Sequence, residues 1–116
     1  MEFHFNTDSS VMGTENVAER VEAQVRDRLS RFAERLTRIE VHISDTNGRK
    51  GGGDDVRCLI EARPRGGDPL SATAHEGDVD SAARAASSKL VTVLETHFGK
   101  ADRHPRPDRS IPAGGV

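Results

Sequence analysis

Polar and apolar positions along the chain fall into two periods, and their order sketches a fold. Glu2–Asn6 alternates, with Phe3 and Phe5 on one side and Glu2 and His4 on the other, the signature of a strand. A polar stretch, Thr7–Gly13, follows. Val17, Val21, Val25, Leu29, Phe32 and Leu36 then recur at helical spacing, which predicts one amphipathic helix, with Thr14 as its N-cap and Glu15 in its first turn. Arg38–Asp45 alternates again, with Ile39, Val41 and Ile43 facing one way and Glu40, His42 and Ser44 the other. The glycine-rich run Asn47–Asp55 is a loop. Val56–Arg63 is a third strand with Cys58, Ile60 and Ala62 inward, Pro64–Pro69 is a turn, and Leu70–His75 is a fourth strand. Asp78 caps a second helix whose apolar face is Val79, Ala82, Ala83, Ala86, Leu90, Val93 and Leu94, and Gly99 is its stop.

The order is β-α-β-β-β-α, an α+β fold. A helix between the first two strands makes a right-handed crossover, so those strands run parallel, while the short later connections give antiparallel pairing. Each helix has one apolar face, so both are expected on the same face of a four-stranded sheet. The other face stays wet, which suits its Glu, His, Arg, Ser and Thr.

Composition narrows the class. The chain of 116 residues suits one domain, and with 34% hydrophobic residues, four Phe and no Trp or Tyr its core must rest on aliphatic side chains. We read residues 1–99 as that domain, and 100–116, rich in Pro, Arg and Gly, as a disordered tail. A single Cys excludes an internal disulfide, no segment approaches the ~18 apolar residues of a membrane span, and the acidic N-terminus does not resemble a signal peptide. The expectation is a cytoplasmic protein with no membrane partner.

A net charge of −2 argues by itself against a nucleic-acid partner, so arrangement decides. Moved back one residue, the apolar stripe of the first helix reads Arg20, Gln24, Arg28, Arg31, Arg35. Four arginines thus form a ridge along one flank, with Glu15, Glu19, Glu22, Asp27 and Glu34 on the remaining outer surface and only Arg26 breaking the segregation. Mixed charge on a helix is usually a solvated face laced with ion pairs. Like charges in a row cost stability, however, and a row of guanidiniums suits phosphate oxygens, each donating two parallel hydrogen bonds. On the second helix Lys89 lies at the edge of the apolar face and Arg84 points further out. The small Ala and Ser residues around them are either ordinary helix fillers or a low surface that a backbone can approach closely.

Chemistry of other kinds finds little support. His4, His42 and His75 share the wet sheet face, where three converging imidazoles could hold Zn2+, but exposed strands also accept His as an ordinary polar residue. GRKGGGDD lacks the phosphate-loop order and precedes a strand instead of a helix. Adjacent Asp54 and Asp55 alternate sides on a strand and do not share a proton. Cys58 faces inward as a core residue. No nucleophile is paired with a base, so an enzyme is not expected, nor a cofactor or a small-molecule substrate.

The second helix, DVDSAARAASSKLVTVLETHFGK, resembles the closing helix of the bacterial ribosome hibernation-promoting factor and ribosome-associated inhibitor (RaiA) family, formerly sigma-54 modulation proteins. The matching positions are Asp78, Val79, Ala82, Lys89, Leu90 and Leu94. VRDRLSRF is similar to the family's Arg-Leu pattern with a basic residue two positions on, which falls on Arg28 and Arg31, and IEVHISDTNGRKGGGDDVRCLIEARP is similar to a subgroup. The likeness spans about residues 1–98. It implies a fold like a double-stranded-RNA-binding domain and binding to small-subunit ribosomal RNA near the tRNA and mRNA sites of idle ribosomes, silencing them. It also implies Arg28, Arg31 and Lys89 as RNA contacts, to which geometry adds Arg20, Arg35 and Arg84. Where relatives often carry further Lys or Arg at the end of this helix, this chain has Glu95, Thr96 and Phe98. The chain resembles a short form without the C-terminal dimerisation domain of long forms. The alternative is a protein-interaction module of a stress or regulatory response, using the wet sheet face without catalysis.

Overall fold

A computed structural model describes residues 1–7, 16–45 and 56–103. Their elements are β1 (Glu2–Thr7), α1 (Val17–Arg28), a 3-10 helix (Ser30–Arg35), β2 (Leu36–Asp45), β3 (Val56–Pro64), β4 (Leu70–Glu76) and α2 (Val79–Arg103). The strands form one sheet in the order β1-β2-β3-β4. β1 lies parallel to β2, and β2–β3 and β3–β4 are antiparallel, as the connections require.

Register shows why one face is buried. Ile39 sits opposite Ala62, Val41 opposite Ile60, and Ile43 opposite Cys58, which in turn faces Ala74. All seven are buried, because period-two alternation brings every inward residue of the central strands to the same side. Val17, Val21, Val25 and Leu29 from the first helical stretch, and Ala82, Ala83, Ala86, Leu90 and Leu94 from α2, join them in one core. Both helices therefore cover the same face. The small residues of α2 let it pack closely on β3 and β4, with buried Ser87 returning its hydroxyl to the Ala83 carbonyl at 2.7 Å.

Three expectations are corrected. The single long first helix is absent: α1 ends at Arg28, the chain tightens into the 3-10 helix, and Leu36 opens β2. The six stripe residues are all buried nonetheless, because a 3-10 turn closes in three residues and still returns Phe32 to the core. Gly99 is no stop, since α2 continues to Arg103. The reason lies one residue earlier. Phe98 is buried and stacks on Phe32 with ring centroids 5.8 Å apart, which fastens that turn of helix to the body. Val79 and Val93, expected in the core, are only half-buried, and Phe98 joins the core instead.

The helix starts divide. Asp78 caps α2 as expected, its Oδ1 accepting the Ser81 backbone N–H at 2.8 Å, and those N–H and hydroxyl contacts hold its carboxyl below the usual carboxylate range. At α1 the residue before the helix is Asn16, in the left-handed region at φ 63°, without a side-chain cap. Thr14, Glu15, the loop at 47–55 and residues 104–116 of the tail lie outside the described residues.

Candidate nucleic-acid interface

Because α1 and the 3-10 helix lie beside α2 on one face, the arginine row falls along the seam between them. Each member reaches across it. Arg20 donates to the Asp80 carboxylate at 3.2 Å, Arg28 to the Ser88 hydroxyl at 2.9 Å, and Arg31 forms an ion pair with Glu95. The Arg35 guanidinium stacks over the Phe98 ring, 4.0 Å from its centroid, and Arg31 lies 4.8 Å from the centre of Phe32. The partners Asp80, Ser88, Glu95 and Phe98 recur at helical spacing along one flank of α2, which is why a row of cations finds a row of partners.

The ridge is therefore a line on two elements. Arg20 and Arg28 stand on α1, Arg31 and Arg35 on the 3-10 helix. The contacts are surface contacts: the Arg31 and Glu95 side chains are 58% and 51% exposed. Exposed pairs of this kind are worth about 0.2–1 kcal/mol, little enough for a phosphate to replace the partner.

Arg84 joins the seam. With Arg20, Ala23, Gln24, Asp27 and Asp80 it lines a shallow groove between α1 and α2. Asp27, expected among the acids of the outer surface, thus stands with the arginines. Lys89 lies on the other flank of α2, where its ammonium donates to the Thr73 carbonyl of β4 at 3.1 Å. Of the six residues singled out, five come together and Lys89 stands apart. Arg26 is held elsewhere, donating to Glu22 at 2.7 Å and lying over the Phe3 ring of β1.

The open sheet face is organised differently. His4 lies 3.4 Å from Glu2, and His42 3.4 Å from Glu40. The His42 hydrogen bond and the Arg38 guanidinium hold the Glu40 carboxyl below its ordinary value against the opposing effect of burial. The histidines do not converge with one another, and among the described residues no group of His, Cys, Asp and Glu could hold a metal ion. Arg38, Glu40, Glu61 and Arg63 surround a small depression of about 130 Å3, where the Arg38 Nε is buried without a hydrogen-bond partner. Cys58 is buried, and loss of solvent pushes its thiol up to about 12, so it stays protonated and inert near neutrality. Among the described residues no helix is long and apolar enough to cross a membrane.

The model of a family described as sigma 54 modulation protein / S30EA ribosomal protein matches residues 7–102. Similar solved structures include the N-terminal domain of Thermus thermophilus Protein Y, at 18% identity and a TM-score of 0.64, covering 84% of this chain and 99% of that one. A ribosomal subunit interface protein from Coxiella burnetii is similar at 14% identity and a TM-score of 0.58, covering 85% of this chain and 99% of that one. At such identities the likeness is one of fold. No curated protein sequence matches significantly.

Proposed function

The chain belongs to the sigma 54 modulation protein / S30EA ribosomal protein family, and on that premise we propose that it binds the ribosome through the α1–α2 seam and holds idle ribosomes out of translation. The contact is to small-subunit ribosomal RNA near the tRNA and mRNA sites, in the cytoplasm. The observation that carries this reading is the line Arg20, Arg28, Arg31, Arg35, with Arg84 beside it, gathered along one exposed seam in a chain whose net charge is −2. A duplex RNA presents phosphates in a regular row, and backbone contact needs shape and donors more than base-specific groups. Arg28, Arg31 and Arg35 can each exchange a surface partner for a phosphate oxygen and gain a stronger, charge-assisted bond, while Arg20 and Arg84 extend the footprint along the groove. Lys89, on the far flank of α2, would widen the same footprint toward β4. The protein acts by occupancy, without a cofactor or a bond broken.

The test is co-sedimentation with purified small subunits across a salt series. Phosphate contacts release counterions, so affinity should fall steeply as salt rises, by a slope of about 0.7–0.9 per contact. Binding that ignores salt, or no binding at low salt, would sink this reading. A second reading, a protein-interaction module of a stress or regulatory response that uses the open sheet face, draws on the unpartnered Arg38 Nε in the charged depression. It predicts that substitutions at Arg38 and Arg63, and not along the seam, abolish partner binding.

A further inference from the structure

The upper part of the seam differs in chemistry from the rest. In the groove where Arg20, Gln24 and Asp27 of α1 face Asp80 and Arg84 of α2, two guanidiniums meet two carboxylates. Arg20 is already turned to Asp80. A phosphate finds no surplus cation here, in contrast to the Arg28–Arg35 end.

The groove does border one hydrogen-bond acceptor that has no donor. The amide oxygen of Gln24 is shut off from solvent and has no partner. Such an orphan acceptor costs stability, so it asks for an explanation. The Gln24 side chain as a whole is only partly buried. Its terminal torsion is soft, so the oxygen can turn into the groove when a donor arrives. Arg28 stands one helical turn further along, about 6 Å away, within the reach of a single nucleotide. Along a nucleic-acid backbone the donor that accompanies the phosphates is the ribose 2′-hydroxyl, which A-form RNA displays across its minor groove and DNA lacks.

We propose that Gln24 accepts a hydrogen bond from a ribose 2′-hydroxyl of RNA, so that this groove reads the sugar while the Arg28–Arg35 end takes phosphates. The inference rests on the RNA-binding reading and names the group that makes it specific for RNA. Asp27 and Asp80 fit it, since carboxylates repel phosphate and tolerate hydroxyls.

Gln24→Met keeps the length of the side chain and removes the acceptor. On purified small subunits it should raise Kd about three- to tenfold, the weight of one hydrogen bond. The slope of log Kd against log salt should not change, because no phosphate contact is lost, whereas Arg28→Met should lower that slope by about one. The melting temperature of Gln24→Met should hold or rise, because the orphan acceptor is gone. At low salt, an RNA duplex of about 16 base pairs should bind the wild type more tightly than its 2′-O-methyl counterpart, and Gln24→Met should lose the preference. Small-subunit affinity within twofold of wild type, a fall in melting temperature, or a wild type that binds the two duplexes equally or not at all would each overturn the assignment while leaving ribosome binding intact. A wild type that does not bind small subunits at low salt overturns the functional reading itself, and this inference with it.

Discussion

The seam between the helices and the open face of the sheet are built from the same residue types, arginines and carboxylates, and put them to different use. On the sheet, register sets Arg38 against Arg63 and Glu40 against Glu61. Like charges directly opposite each other are unfavourable, and each row is offset by the next, two residues along, as when Arg38 bonds Glu40. Sign thus alternates over one residue pair, and the field cancels well inside the ~8 Å screening length of physiological salt. Along the seam, Arg20, Arg28, Arg31, Arg35 and Arg84 stand beside Asp27, Asp80 and Glu95. Helical spacing puts the cations in one line, where a partner with charges in a line can meet several at once. Composition cannot separate the two surfaces, and arrangement can.

The hardest way to break the comparison is to remove what holds the seam together. Phe32 is 6% exposed and stacks on Phe98, so Phe32→Ala should cost about 3–5 kcal/mol, read as a shifted urea midpoint. It should also loosen the turn that carries Arg31 and Arg35, and ribosome binding should fall with it. A cost under about 1 kcal/mol would mean that the stack is not what seats the 3-10 helix.

Charge reversal tests the two surfaces directly. Arg28→Glu with Arg31→Glu removes two charge-assisted contacts and adds repulsion, so Kd for small subunits should rise by about two orders of magnitude while the circular dichroism spectrum is unchanged. Arg57→Glu with Arg63→Glu, on the sheet face, lowers net charge by four, as the seam pair does, and should move Kd by less than about threefold, through long-range field alone. Equal losses from both pairs would show that binding follows net charge and that the seam is no site.

Sequence and structure part company in instructive places. The burial of Val17 through Leu36 was legible because apolar spacing reports which residues face the core, whatever the backbone does between them. The switch from α to 3-10 at Leu29 was not, since no Gly or Pro marks it and steps of three and four residues satisfy both helices. The arginine row was legible as a row. Its partners were not, because Arg20 and Asp80, or Arg31 and Glu95, lie some sixty residues apart in sequence and meet only through tertiary packing. Arg26 broke the charge pattern on paper, and the structure gives the reason: it covers Phe3 of the edge strand β1. Glu95 and Phe98 read as departures from the basic end of the family's closing helix, and folding turns them into the partners of Arg31, Phe32 and Arg35. Gln24 carried no signal, since a glutamine in a helix looks like filler until its oxygen is found without a partner.

Glu95 allows the finest distinction between a seam that merely stores arginines and one that aims them. In Glu95→Gln the amide keeps the shape and loses the charge. Both partners of the Arg31–Glu95 pair are more than half exposed, so the fold should lose no more than about 1 kcal/mol, a few degrees of melting temperature at most. If the pair only occupies Arg31 until RNA arrives, releasing it should tighten small-subunit binding about two- to fivefold at low salt, by removing one competing anion from the line. The gain should shrink as salt rises, because the removed repulsion is itself screened. If instead Glu95 holds the guanidinium where a phosphate will meet it, the variant binds more weakly despite its extra positive charge, since ordering that side chain must then be done during binding. The sign of the change in Kd therefore separates competition from preorganisation.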